Sequence, residues 1–221
     1  MSHPIVFPKI RPGLNPGHRV TIFVMSGHNR GIFLDRDGVL IPRQNGRIDV
    51  TREEIFGHVG EAIRLIRELG YTIFLMANHP PVANGLITES KLEDLHCNLV
   101  CFISEQDPMA FIDGIYACPH DPTGTEEKYA IVCECKFPEA SLLHQASGDF
   151  SVDLGRSYVV GDHVSSIVAA HFAGSKGILV EGPRNDEPLE INREIPDELR
   201  VPDANVKDLL AVAHWLKEQE A

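Results

Sequence analysis

Residues 31–38 read Gly-Ile-Phe-Leu-Asp-Arg-Asp-Gly, an apolar run that stops abruptly at two carboxylates, an arginine and a glycine. A run this short, without polar alternation, suits a strand buried on both faces, and such strands belong to parallel sheets covered by helices. Downstream segments fit that scheme. Residues 58–69 set Val59, Ala62, Ile63, Ile66 and Leu69 at helical spacing, and Gly70 is a suitable stop. Residues 71–76 read as a second buried strand. Ser90 and Glu93 read as a capping box for a helix carrying Leu92, Leu95 and Leu99. A third strand is expected at 111–116, a helix opened by Pro138 to about 146, a fourth strand at 157–160, a helix at 164–173 and a fifth strand at 177–180. Residues 205–218 are expected to close the fold as a helix, with Val206, Leu209, Leu210, Ala213 and Leu216 inward. Alternation of this kind predicts an α/β, Rossmann-like three-layer sandwich with a mainly parallel central sheet. Ligands of such sheets sit at the carboxyl ends of the strands. Asp35, Ala77-Asn78, Cys118 and Asp162 all follow predicted strands, so their chemistry should converge on one edge.

The first thirty residues differ. Pro4, Pro8, Pro12 and Pro16 recur every four residues and forbid an ordinary helix. An extended arm over 1–30 is expected, with 19–24 as a candidate edge strand. It would lead into one domain over 31–221, and the Pro-rich segment 183–202 would run over the surface. The arm could cover its own sheet edge or reach another subunit; a monomer is the expectation.

Asp35 and Asp37 carry the strongest catalytic signal. A carboxylate is a competent nucleophile toward phosphorus, and a second carboxylate two residues on can protonate the leaving oxygen and then activate water. The bland alternative is an Asp-rich turn held by its own side-chain hydrogen bonds. Both carboxylates and a phosphate would need a divalent cation, and hard oxygen ligands suit Mg²⁺. The formal net charge of −12 argues against nucleic acid and anionic membranes as partners, but not against a small anionic substrate. No apolar run approaches the about 18 residues of a membrane span, and no signal peptide is evident. A cytoplasmic protein is expected.

Five cysteines in such a chain suggest metal where they cluster. Cys118-Pro119-His120 and Cys133-Glu134-Cys135 bring three thiols and one imidazole into a polar loop over 118–135. That set suits a tetrahedral structural Zn²⁺, which would supply order that an apolar core cannot. The alternative is buried cysteines beside a chance histidine. Cys97 and Cys101, four apart on a predicted helix, read as packing.

The segment from Phe33 to Val39 resembles motif I of the haloacid-dehalogenase superfamily, especially its capless subgroup of heptose bisphosphate and histidinol-phosphate phosphatases. The similarity spans about 31 to 180, and the spacing of the four loop ligands matches the zinc loop of that subgroup. The resemblance implies a fold without a large cap, Asp35 as nucleophile and Asp37 as acid and base. It also implies Mg²⁺ held by Asp35, the Asp37 main-chain carbonyl and Asp162. Other motifs depart from the family. Its Thr-Asn-Gln-Ser-Gly is here Ala77-Asn78-His79-Pro80-Pro81, without the hydroxyl and with two backbone donors removed. Its Cys-x-Cys-Arg-Lys-Pro is Cys133-Glu134-Cys135-Lys136-Phe137-Pro138, and its Gly-Asp-Lys-x-x-Asp is Gly161-Asp162-His163-Val164-Ser165-Ser166. Asn78, Lys136, His79 and His163 are the candidates left to bind phosphate, against a plainly structural role for each. The expected function is an Mg²⁺-dependent phosphatase for a small sugar phosphate such as heptose 1,7-bisphosphate. The alternatives are a weakened relative that binds a phosphorylated ligand or protein partner without turnover, and a zinc loop that serves only as a docking surface.

Overall fold

The computed structural model describes residues 5–7, 29–43, 51–182 and 194–220. Six parallel strands form the sheet: β2 (Gly31–Asp35), β3 (Thr72–Asn78), β4 (Gly114–Cys118), β5 (Tyr158–Gly161), β6 (Lys176–Val180) and β7 (Ala204–Val206). A short strand β1 (Ile5–Phe7) pairs antiparallel with β4 at the edge. The spatial order is β1-β4-β3-β2-β5-β6-β7. The chain therefore winds outward from β2 through β3 to β4, then returns to the middle and winds the other way from β5. The crevice beyond the carboxyl ends of β2 and β5 is the switch point, where open α/β sheets bind ligands.

Alternate residues of each strand feed two cores, because side chains in a strand alternate faces. Ile32, Leu34, Ile73, Leu75, Ala77, Ile115, Ala117, Tyr158 and Val160 point into one core. Helices α1 (Val59–Glu68), α2 (Glu89–Gln106) and α5 (Leu209–Gln219) cover it through Val59, Ile63, Leu92, Leu99, Leu209 and Leu216. Phe33, Phe74, Met76, Tyr116, Cys118 and Val159 point the other way, under α3 (Ser141–Phe150) and α4 (Val164–Phe172). Phe33 and Phe74 stack there at 4.9 Å. Three layers result, with no separate cap among the described residues. No helix among them is long and apolar enough to cross a membrane.

Several boundaries differ from the sequence expectation for local reasons. Helix α2 starts earlier than Ser90, because the Thr88 hydroxyl accepts from the Lys91 amide and caps the helix. Strand β4 starts at Gly114, later than expected. Asp113 uses its carboxylate to accept from the Ile73 amide and from Arg67, so it ends the incoming turn instead of joining the strand. Pro138 precedes α3 by three residues and lies on the loop that enters it. Residues 204–206 form a sixth parallel strand where a helix was expected to begin; Asp208 caps α5 just after them. The candidate edge strand at 19–24 lies outside the described residues, as does 183–193 of the Pro-rich excursion.

Candidate active site and zinc centre

Strand β2 ends on Asp35, and the chain turns at once. Gly38 adopts φ +84°, a left-handed conformation that costs glycine little, and its amide donates to the Ile41 carbonyl at 2.8 Å. A side chain on Gly38 would lie 2.2 Å from Oδ2 of Asp162. The absence of a Cβ thus lets the Asp162 carboxylate, arriving from the end of β5, close against the Asp35–Gly38 turn. Gly182 backs Asp162 from the other side, where an added Cβ would stand 3.0 Å from the Asp162 Cβ. Asp162 is fully buried in this cradle. Ser166, on the first turn of α4 and also buried, donates from Oγ to Oδ2 of Asp35 at 3.3 Å. Gly161 makes room for that contact, since a Cβ there would meet the Ser166 Oγ at 2.3 Å.

The structure therefore gathers Asp35, Asp37 and Asp162 at the switch point. Carboxylates gathered on a glycine turn are hard-oxygen ligands of the kind that Mg²⁺ takes. The cradle around Asp162 fits such an ion, because it sets that carboxylate directly against the Asp35–Gly38 turn.

The candidate phosphate ligands are placed less favourably. The Asn78 side-chain oxygen accepts from the Phe137 amide at 3.1 Å, so this carboxamide ties β3 to the loop before α3. Lys136 is partly exposed, with its Nζ 4.0 Å from Asp121. His163 is buried, and its Nδ1 accepts from the Ser165 amide at 3.2 Å as the cap of α4. His79 is 2% exposed, and burial, helped by the nearby Arg36 charge, lowers its pKa to about 3. It is neutral near pH 7 and brings no positive charge to an anion. Phe137 packs in the second core with Cys118, Cys135 and Leu142.

One participant that the sequence reading assigned no role is Arg36. Its side chain turns inward at 4% exposure and pairs with Asp37, Nη2 at 2.8 Å and Nε at 3.2 Å from Oδ2. Its position between the two aspartates was visible in the sequence, but its burial was not.

The loop over 118–135 brings Cys118, His120, Cys133 and Cys135 together, with all four ligand atoms within 4.8 Å of one another. The sulfur separations are 3.0 Å (118 to 135), 3.4 Å (133 to 135) and 3.5 Å (118 to 133), and His120 Nδ1 lies 3.1 Å from the Cys135 sulfur. Donors at about 2.0–2.3 Å from one tetrahedral ion stand about 3.3–3.8 Å apart, so this cluster needs to open only by a few tenths of an ångström to hold one. Without an ion, hydrogen bonding among the sulfurs drives Cys133 toward thiolate and holds Cys118 as thiol. A zinc ion would take all three as thiolates. The same loop docks on the segment after β3: the Glu126 amide donates to the Ala83 carbonyl at 2.8 Å, and a Cβ on Gly124 would collide with that carbonyl at 2.6 Å. The zinc loop thus walls one side of the catalytic edge.

No protein-family model matches the chain. A D-glycero-beta-D-manno-heptose-1,7-bisphosphate 7-phosphatase of Haemophilus ducreyi is 33% identical over 147 residues, covering 66% of this chain and 80% of that protein. The protein of the same name from Rhodopseudomonas palustris is 34% identical over 152 residues, covering 68% and 82%. The crystal structure of D,D-heptose 1,7-bisphosphate phosphatase from B. bronchiseptica, complexed with magnesium and phosphate, superposes with a TM-score of 0.66 at 25% identity, covering 87% of this chain and 99% of that one. With the carboxylate trio at the switch point and the four-ligand loop beside it, the chain belongs to the heptose bisphosphate phosphatase family of the haloacid-dehalogenase superfamily.

Proposed function

We propose that this protein is an Mg²⁺-dependent phosphatase that removes a phosphoryl group from a small phosphorylated sugar, with heptose 1,7-bisphosphate as the first candidate. The observation that carries the reading is the closure of buried Asp162 on the Asp35–Gly38 turn, which places three carboxylates at the switch point. Asp35 attacks phosphorus with one carboxylate oxygen. The bond from phosphorus to the sugar oxygen breaks, and Asp37 gives that oxygen its proton. Asp37, now a carboxylate, takes a proton from water; the water oxygen attacks phosphorus, and the bond to Asp35 breaks to return the carboxylate. Bound Mg²⁺, held by Asp35, Asp162 and the Asp37 carbonyl, would offset the charge shared by carboxylates and phosphate. Ser166 orients Asp35 by donating to Oδ2. We place this work in a reducing compartment, the cytoplasm, because closely grouped free cysteines persist there as metal ligands.

The test is phosphate release from heptose 1,7-bisphosphate and a panel of sugar phosphates with Mg²⁺, by wild type and by Asp35→Asn. Release by wild type alone supports the reading; equal release by both proteins removes Asp35 as nucleophile. Binding without turnover is a second reading. It is favoured by the loss of charge at the β3 and β4 ends, where His79 is neutral and Phe137 is core. Thermal stabilisation by a sugar phosphate with no product formed would select it.

A further inference from the structure

A second concentration of charge lies at the amino ends of the strands, away from the carboxylates. Arg30 directly precedes β2, Arg156 stands two residues before β5, and Lys176 opens β6. They line one cavity of about 200 Å³ together with Tyr71, Tyr158 and Glu220. Along β2, five steps of about 3.3 Å set Arg30 about 16 Å from Asp35. Three cations thus share a cavity with one acid, in a chain of formal net charge −12. Arg30 is held from three directions. Its guanidinium lies 4.3 Å from the centre of the Tyr71 ring, donates to the Leu69 carbonyl and pairs with Glu220 at 2.6 Å. Tyr71 and Tyr158 meet edge to face, with ring centroids 6.1 Å apart. Burial pushes the Tyr71 pKa up to about 12, so this hydroxyl adds no negative charge. Arg156 and Lys176 are exposed and have no acidic partner among the described residues. Arg156 donates to the neutral Asn29 side chain at 2.8 Å, and the Lys176 ammonium stands 5.8 Å from the centre of the Tyr158 ring.

We propose that this cavity is a second anion site, separate from the catalytic edge, that binds a small phosphate dianion, free or as a monoester, on Arg156, Lys176 and Arg30. Glu220 shows the chemistry that the cavity takes, because one carboxylate already rests on its most rigid cation. The two cations left over call for a second anion. Guanidinium forks match phosphate oxygens, and an ammonium adds a point charge beside them. The cavity is smaller than the about 300–1,000 Å³ of pockets for drug-sized ligands, so its ligand is small. A local cluster of one sign keeps a positive potential even on an acidic protein. Glu220 and the ligand share Arg30, so each weakens the other's hold on it. Binding here requires no turnover at Asp35.

The test is an NMR titration of the full chain with inorganic phosphate, at an ionic strength held constant with chloride. The amides of Arg30, Arg156 and Lys176 should shift and saturate. Those of Gly38 and Asp162 report the catalytic edge separately. Arg156→Gln combined with Lys176→Gln should weaken binding at the first three amides by about tenfold or more, since two charge-assisted hydrogen bonds are lost. Glu220→Gln should tighten it by about threefold or more, because the competing carboxylate is gone. Neither change should alter any response at Gly38 and Asp162. Glucose 6-phosphate, titrated into Asp35→Asn protein so that it is not consumed, separates the two sources. Tighter binding than inorganic phosphate assigns the site to a monoester, and weaker binding assigns it to the free ion. Succinate, a dicarboxylate, should bind more weakly than phosphate. No saturable shift at the three amides, or an affinity that is unchanged in the double variant or in Glu220→Gln, would overturn the proposal. Succinate binding as tightly as phosphate would overturn the choice of phosphate.

Discussion

The carboxyl edge of the sheet has two halves. At the ends of β2 and β5, acids are concentrated: Asp35, Asp37 and Asp162 meet on a turn that only glycine permits. At the ends of β3 and β4, the equivalent positions are neutral or apolar. Ala77 and Phe137 are buried, His79 is uncharged, and the half-exposed Lys136 leans toward Asp121. That half is instead built around the four-ligand loop, whose donors converge as closely as one metal ion requires. One half gathers the carboxylates and the other the four-ligand loop. Among the described residues, Arg36 is the buried cation paired at this turn, on Asp37.

That division can be broken by experiment, and the largest expected effect is at Asp162. Asp162→Asn should lower kcat by about 10²-fold or more and raise the Mg²⁺ needed for half-maximal rate. A variant with normal Mg²⁺ dependence would dissolve the contrast. Next comes the loop. Wild type purified without added metal should carry about one zinc per chain. Cys135→Ser should lose it and lower stability by about 3 kcal/mol or more in a denaturant titration. Zinc retention should fall with decreasing pH, because the thiols must be deprotonated to bind.

Phe137→Lys sharpens the same point. The family's lysine restored at this position would enter the core formed by Cys118, Cys135 and Leu142. It should cost about 3 kcal/mol of stability and return no activity. A gain in turnover would mean that the side chain reaches the phosphate after all. The smallest effect concerns pH. His79 titrates at about 3 in the folded chain, against an ordinary value of about 6.5 unfolded. Between those values the unfolded chain binds more protons, so this residue's contribution to stability falls as pH drops from about 6.5 toward 3. His79→Phe should therefore narrow the gap between urea midpoints measured at pH 7.5 and pH 5. An unchanged gap would mean that His79 is not neutral when folded.

How far the sequence disclosed this arrangement depended on the range of the interactions involved. Abrupt apolar runs ending in Asp35 and Asp162 made the strands and the catalytic edge legible, since burial on both faces leaves no alternation. The paired Cys and His spacing made the zinc loop legible for the same local reason. Arg36 was not legible: arginine between two aspartates in a turn ordinarily faces solvent, and its burial depends on β3 and α2 bringing His79 and His96 alongside. Phe137 was also ambiguous, because only the assembled second core identifies it as filling. Strand β7 was hidden because Val206 continues the helical spacing of Leu209 and Leu210, and the Asp208 cap that separates them is a short-range signal easily read as helix interior.

The central claim is that the carboxylate half performs covalent phosphoryl transfer through Asp35. Mg²⁺-loaded protein quenched during turnover of a sugar phosphate and reduced with borohydride reports this directly, because an acyl phosphate is reduced to an alcohol and a free carboxylate is not. The account predicts homoserine at position 35 in the digest, dependent on substrate and absent from Asp35→Asn. Sustained turnover with position 35 unlabelled, or with the label on another acid, would contradict it.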